Sequence, residues 1–312
     1  MYFTTLPDHT AHAFNEREHF ARFSHHNVIF NAFSRQIECE NHVGCLSLKT
    51  ISTGEEWYHV DGRPIAVRPG QFLILNDNQT YSSRIDAAAK VFSIFFQKDF
   101  AASVFDDGMQ SEKTLLDNAN NPRYPTPEFF QTLHFITPDL AARLRTLHSQ
   151  LETYGDDKNR IDEQLVFLLR HLIHTHRTEA RQLTRVSALR PATKKEIFRR
   201  LCIAKDFLHS SFRDPIDLTQ LSAKACLSKP QLIRQFKTVF SKTPYQYLVT
   251  LRLRHAAESL RSTSMAVNEI AWHSGFQDPS AFCRAFRAAY DTSPEQYRHV
   301  PSGYHALNAL FP

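Results

Sequence analysis

From Asp217 to Tyr297 apolar residues recur three and four positions apart, the period of a helix that buries one face, and the arrangement occurs twice. In the first copy Leu218, Leu221 and Ala225 mark a short helix beginning near Asp217. Cys226-Leu227 interrupts it, with Leu227 placed to fill the angle between two helices, and Leu232, Phe236, Val239 and Phe240 mark a second stripe. In the second copy Ile270 and Ala271 precede Gly275-Phe276, and Phe282, Phe286 and Tyr290 form the stripe. Leu221 and Cys226 lie 49 residues before Ile270 and Gly275, whereas Leu232, Arg234, Phe236 and Pro244 lie 50 before Phe282, Arg284, Phe286 and Pro294. One residue is therefore inserted at the turn, and the helices on either side keep their phase. Ser228 and Asp278 stand where helix N-caps are expected, and Pro230 and Pro279 fall in the first turn, where a missing N–H costs little. Each copy has the parts of a helix-turn-helix.

The N-terminal half follows a different period. Cys45 to Ser52, Glu55 to Val60, Arg63 to Val67, Gln71 to Leu75, Thr80 to Ile85 and Val91 to Phe96 read as short strands. Asp61-Gly62 is a hairpin signal, and Pro69-Gly70 and Asn76-Asp77-Asn78 supply further turns. Short strands at such intervals, up to about residue 97, suggest a barrel or sandwich. Alternation puts Trp57 and His59 on one face and Tyr58 and Val60 on the other, without deciding which is inside.

Two amphipathic helices follow. One, from about Pro138 to Tyr154, carries Leu140, Leu144, Leu147 and Leu151. The other, from about Arg160 to Arg177, carries Ile161, Leu165, Leu168, Leu169, Leu172 and Ile173. They read as a hairpin packed on the strands. His171, His174 and His176 then fall near a helix C-terminus, where cations suit the macrodipole. The polar, basic stretch from Thr178 to Thr193 reads as a linker. The organisation expected is thus a domain over 1–177, a linker over 178–195, a second domain over 196–300 and a tail over 301–312.

Charge sharpens this division. Residues 178–312 hold 20 Lys+Arg against 10 Asp+Glu, a net of +10, whereas 1–177 hold 17 against 22, a net of −5. Positive charge gathered on the repeat-bearing third points to phosphate neutralisation, which an even spread of the overall +5 would not. The acidic half is not expected to touch nucleic acid. No run approaches 18 apolar residues, so no membrane span is expected, and Asp8, Glu16, Arg17 and Glu18 leave no room for a signal-peptide core. Five cysteines without a Cys-x-x-Cys pair fit a reducing cytoplasm.

The residues from about Ile203 to Arg298 resemble the DNA-binding domain of AraC/XylS-type bacterial transcription regulators. The resemblance rests on Arg252-Leu253-x-x-Ala256-x-x-x-Leu260 and on Glu269-Ile270-Ala271-x-x-x-Gly275-Phe276-x-Asp278-x-Ser280-x-Phe282-x-Arg284-x-Phe286, closing with Ser293-Pro294-x-x-Tyr297-Arg298. It implies seven helices in two helix-turn-helix subdomains, joined by a long helix from roughly Pro244 to Arg261. By that resemblance the two recognition helices enter successive major grooves on one face of a duplex. Lys229, Gln231, Ile233, Arg234 and Lys237 in the first copy, and Ser280, Ala281, Arg284 and Arg287 in the second, are then the candidate DNA-binding residues. Arg234 and Arg284 are favoured for base or phosphate contact, and Ile233 offers apolar contact to a thymine methyl. The family usually has Ala at 222 and Gly at 226, 241 and 291, where this chain has Ser, Cys, Ser and Asp. Asp tolerates a left-handed backbone better than Cys or Ser, so some strain is expected at the first turn.

More loosely, Gly54-Glu55…Val60-x-Gly62…Val67-x-Pro69-Gly70…Leu75 resembles the cupin-like barrel with which many such regulators sense ligands. The fold class implied is α+β: an N-terminal cupin-like β-barrel with a helical hairpin, and a C-terminal all-α domain with two helix-turn-helix motifs. Trp57, His59, Phe72, Tyr81 and Phe95 are candidates for a ligand-binding pocket, and a cation such as Arg35, Lys49 or Arg84 could meet an anionic effector, although surface placement is the default. A metal-dependent cupin enzyme would need paired histidines on one strand. Here His59 stands alone and Tyr81 takes the place of the later histidine, so neither metal nor catalytic residues nor cofactor is expected. The reading is a cytoplasmic, non-enzymatic transcription regulator, an activator, whose partners are double-stranded promoter DNA, a small-molecule effector and RNA polymerase. A homodimer through 138–154 or 160–177 is the family's alternative use of those helices. The rival reading is a ligand-independent regulator controlled by a protein partner.

Overall fold

The Asp61-Gly62 pair turns the chain as its residue types require: both have positive φ, 50° and 71°, as a tight hairpin turn demands. The computed structural model describes residues 1–7, 23, 25–109, 127–155 and 157–299; the charged N-terminus beyond Pro7 and the tail at 301–312 lie outside the described residues. The chain forms two compact units, Met1–Thr184 and Arg185–Pro312.

The first unit contains β1 (Tyr2–Phe3), β2 (Val28–Ser34), β3 (Ile37–Gly44), β4 (Ser47–Thr53), β5 (Glu56–Val60), β6 (Arg63–Val67), β7 (Gln71–Leu75), β8 (Gln79–Ile85), β9 (Ala89–Phe95) and β10 (Leu133–Phe135). Helix α1 spans Lys98–Met109, α2 Pro138–Tyr154 and α3 Lys158–Thr184. The strands divide into a six-stranded sheet, β1-β2-β9-β4-β7-β10, and a four-stranded sheet, β3-β8-β5-β6. Neither sheet is closed, so the strands expected to form a barrel lie in two open sheets.

Strand alternation builds two cores from one sheet. On β4 and β9, Ile51 and Val91 join Tyr58, Val60, Ile65 and Ile85 of the four-stranded sheet in a core between the sheets. The opposite face presents Leu48, Phe72, Ile74, Phe92 and Ile94 to Phe105 of α1, Leu147 of α2 and Leu165, Leu168 and Leu172 of α3. A central strand buried on both faces is largely apolar, as Phe72–Leu75 illustrates. The apolar stripes of α2 and α3 are thus covered within the unit, as the packed-hairpin reading expected. Pairing of copies through either helix would have to use their polar outer faces.

Two expectations need correction. The stretch read as a linker from 178 is helical: α3 runs to Thr184, because Glu179, Ala180, Arg181 and Gln182 are good helix formers and Glu179 is buried against His134, 3.4 Å away. At the other end Pro191 starts a helix. His171, His174 and His176 therefore lie well inside α3 and not at its C-terminus. His171 packs on Phe72 and His176 on Phe129, and burial lowers the His171 pKa, favouring the neutral ring.

The second unit contains α4 (Pro191–Ser211), α5 (Leu218–Ala225), α6 (Lys229–Phe240), α7 (Pro244–Ser262), α8 (Val267–His273), α9 (Pro279–Tyr290) and α10 (Pro294–His299). Seven helices are described there, and α7 covers the long connecting helix expected over 244–261. None of the described helices is long and apolar enough to cross a membrane.

Leu168, wholly buried where α3 meets the sheet, tests the first unit's core. Leu168→Ala is expected to cost about 2–5 kcal/mol in denaturant unfolding, while Leu189→Ala, at a fully exposed side chain, stays within about 0.5 kcal/mol.

Candidate functional site

The second unit is assembled by two equivalent aromatic cores. Phe236 meets Phe240 at 4.6 Å and Tyr247 at 5.5 Å between ring centroids; fifty residues on, Phe286 meets Tyr290 at 4.5 Å and Tyr297 at 5.3 Å. Tyr247, Leu248 and Leu251 are buried along the first half of α7, whereas Leu253, Ala256, Ala257 and Leu260 pack with Ile270, Phe282 and Phe286 of the second copy. One helix therefore serves both subdomains.

A polar junction locks them together. The Arg252 guanidinium donates to the carbonyl oxygens of Phe212 (2.7 Å) and Asp214 (2.9 Å), just after α4. One turn along α7, His255 lies 3.0 Å from an Arg213 guanidinium nitrogen and 3.3 Å from the buried Ser274 hydroxyl. Gly275 follows with φ 87°; a Cβ there would stand 2.7 Å from the Phe212 carbonyl oxygen and 2.8 Å from Arg252 Nε. Gly275 is needed twice over, for its left-handed backbone and for the close approach it permits.

The first turn is made differently. Cys226 takes φ 50°, ψ 40°, and Ser241 and Asp291 are also left-handed. A side chain in that region carries a steric penalty. Around Cys226 it is offset: Ser222 donates its hydroxyl hydrogen to the Leu227 carbonyl, and Arg200 donates to the Cys226 carbonyl (2.9 Å). Ser222 in place of the family's Ala thus has a structural role.

The helix starts differ as well. Asp217 forms a capping box with Gln220, and Asp278 accepts from the backbone N–H groups of Ser280 (2.9 Å) and Ala281 (3.1 Å). Ser228, expected to cap α6, makes no side-chain cap bond. Pro230 occupies the second helical position and has no N–H to offer, leaving fewer donors within reach of the hydroxyl.

With Leu232, Phe236 and Val239 turned inward, α6 exposes Lys229, Ile233, Arg234 and Lys237, with Gln231 half-buried. On α9 Ser280, Arg284 and Arg287 are exposed and Ala281 is half-buried. Arg284 is 74% exposed and its closest carboxylate, Asp278, is 3.9 Å away, a surface pair too weak to hold it against a phosphate or base. Gln235, which periodicity alone would not place, is buried, and its amide brackets the Ser187 peptide group, accepting from its N–H (3.2 Å) and donating to its carbonyl (3.1 Å).

Residues 221–299 match a family described as a helix-turn-helix domain. The C-terminal unit is an AraC/XylS-type helix-turn-helix domain. This AraC/XylS-type domain is similar to the HTH-type transcriptional activator RhaS of Escherichia coli O157:H7, with 33% identity over 105 residues, 34% of this chain and 38% of the relative. The lactose operon transcription activator of Staphylococcus xylosus is 27% identical over 96 residues, 31% of this chain and 34% of that protein. These matches span well under half the length of either relative. Among solved structures, the DNA-binding domain of AdpA in complex with a target DNA is 28% identical, with a TM-score of 0.31, covering 31% of this chain and 88% of that one.

The first unit holds a second feature. Between its sheets lies a cavity of about 60 Å³, walled in part by Lys49, Glu56, Tyr81, Ser93 and Phe95. A neighbouring cavity of about 230 Å³ shares His42 and Phe95 as walls. Of the candidate pocket residues, the structure brings only Tyr81 and Phe95 together here. Trp57 and His59 point out of the inter-sheet core, since Tyr58 and Val60 alternate with them and face in. Phe72 faces the helices, stacked on His134. Arg35 and Arg84 are exposed, as expected, but Lys49 is only 4% exposed, contrary to its default surface placement. It shares the inward face of β4 with Ile51, two residues on. Its ammonium lies 3.5 Å from the Phe95 ring centroid and 5.4 Å from that of Tyr81, contacts that partly offset its lost hydration. Burial pulls its pKa down to about 8, against the attraction of Glu56. Burial likewise raises Cys45 to about 11 and moves Cys39 upward, so both thiols stay protonated at neutral pH and make poor redox sensors.

Two measurements check this account. Gly275→Ala is expected to destabilise the chain by more than about 1 kcal/mol, whereas Cys226→Gly relieves a left-handed residue and gains up to about 1 kcal/mol; equal effects in thermal unfolding would contradict the asymmetry. Below pH 8 Lys49 must stay protonated in its buried site or lose its proton, a cost that disappears as the pH approaches the ordinary lysine value of 10.5. Lys49→Met should therefore stabilise the protein by on the order of 1–3 kcal/mol at pH 7 and by less at pH 10, as read from urea unfolding at both.

Proposed function

We propose that this chain is a transcription regulator, an activator, that reads promoter DNA through α6 and α9 and is controlled by a small molecule bound between the sheets of a cupin-like N-terminal unit. The observation that carries the DNA-binding reading is the pair of exposed recognition faces on α6 and α9, each backed by its own aromatic core on the shared α7. The unit that bears them holds 19 Lys+Arg against 9 Asp+Glu from Arg185 onward, the positive field that phosphate binding needs. Arg234 and Arg284 supply planar, two-pronged donors suited to guanine or phosphate oxygens, with Lys229, Lys237 and Arg287 placed for backbone contacts and Gln231, Ile233, Ser280 and Ala281 beside them. The relatives RhaS and the lactose operon activator are named as transcription activators, which supports the same role here.

Control by an effector is supported by the interior cavity, where ionisable and hydroxyl groups replace the aliphatic filling a two-sheet core needs. A bound ligand would act by favouring one arrangement of the protein over another and so changing the DNA geometry it can span. RNA polymerase is the partner on which such activation would act.

Operators located by genomic footprinting provide the assay. Arg284→Ala should weaken binding at a footprinted site by about 1–3 kcal/mol, and Lys237→Ala should lower the dependence of log K on log salt by about one while weakening all sequences alike. Affinity unchanged by Arg284→Ala would count against the docking of α9.

A further inference from the structure

We propose that the cavity between the sheets binds a small organic monocarboxylate, its carboxylate on the Lys49 ammonium and its apolar body against Phe95 and beyond. This rests on the reading of the N-terminal unit as the sensor, and it names the class of molecule sensed.

Lys49 is 4% exposed in the middle of a β-sandwich, and among the described residues no carboxylate lies within ion-pair distance of it. The nearby interior acid, Glu56, is already engaged by the hydroxyls of Tyr58 and Ser83. The lysine is left with the faces of two aromatic rings, which stabilise an ammonium less than an anion would. A buried ammonium with no carboxylate in direct contact is costly, and an apolar residue of similar volume would serve the core better, so the arrangement suits a site completed by a ligand.

Charge and shape then select the ligand. With Glu56 in the same walls, one lysine leaves room for at most one further negative charge, and a phosphate dianion would put still more unpaired charge into a low-dielectric interior. Ser93 already donates to the Tyr58 oxygen, but the Tyr81 hydroxyl stands among the walls with Lys49 and can donate to a second oxygen, as a carboxylate requires. A space of about 60 Å³ holds about two waters' share of liquid volume, enough for a carboxylate head and little more. The body must go elsewhere. The neighbouring cavity of about 230 Å³, which shares His42 and Phe95, is lined by Phe23, Val28 and Phe96 together with His26, Gln97 and Lys98, and its apolar side chains suit a ring or short alkyl chain.

The test uses the full chain with octanoate and phenylacetate, each paired with its neutral amide. In thermal unfolding and titration calorimetry both acids should raise the unfolding temperature at millimolar concentration, while octanamide and phenylacetamide do not. Lys49→Met should weaken binding of the acids by roughly 10- to 100-fold, and Lys49→Arg should retain part of it. Equal shifts from acid and amide, undiminished binding to Lys49→Met, or no shift from either acid would overturn the proposal. Operator affinity separates it from the reading on which it rests. If the acids bind through Lys49 without changing DNA binding, the ligand site stands and the sensor reading falls. If neither acid binds while glucose changes DNA binding equally in wild type and Lys49→Met, the sensor stands and the carboxylate site falls.

Discussion

The Arg252 guanidinium, clasping the Phe212 and Asp214 carbonyls while Gly275 presses against the same place, is the constraint on which the C-terminal unit depends. Two helix-turn-helix motifs on one helix could each fold correctly and still point in unrelated directions. The shared α7 sets their separation, but a helix in contact with two small cores leaves rotation about its axis poorly determined. A charged fork bonded to two backbone carbonyls, with a turn packed on it through a residue lacking Cβ, removes that freedom. The His255 imidazole extends the junction by touching both Arg213 and Ser274. The two helix-turn-helix motifs are held in a fixed relation by this junction.

The N-terminal unit follows the opposite logic. Its outer core, between sheet and helices, is filled with Leu, Ile and Phe side chains that pack without polar demands. Its inner core includes a lysine, a glutamate, tyrosine hydroxyls and serines, whose burial is offset only in part by hydrogen bonds and ring contacts. The strands that carry both cores are the same, with alternate residues facing each way. The apolar side anchors the sheet, and the polar side carries the cost of buried ionisable groups.

What was legible in the sequence followed from how locally each signal is written. Asp278, Pro279, Gly275 and the aromatic spacing of Phe282, Phe286 and Tyr290 act within one or two helical turns, so the second helix-turn-helix could be read almost residue by residue. The first could be read except at Ser228, where Pro230 at the second helical position defeats the cap. Strands β2 and β3 are harder to read: Val28–Ser34 is buried on both faces over most of its length, and the alternation that begins at Ile37 and Cys39 is broken by an irregularity before His42. Lys49 was invisible for a related reason. Residues 46–51 alternate between two buried faces, and nothing local says that the face shared by Lys49 and Ile51 is an interior. The length of α3 is hidden because its last turns lack an apolar stripe and lean on long-range contacts of Glu179 with His134 and the Phe130 N–H.

The unequal construction of the two turns has an evolutionary corollary. Cys226 is exposed, and Arg200 secures its carbonyl from outside, so the wall of that turn closes on no side chain. At Gly275 the neighbouring backbone already occupies the space a side chain would fill. A duplicated motif is therefore open to drift at its first bend and closed to it at its second, and descendants of this chain should differ among themselves where the copies begin before they differ where they end.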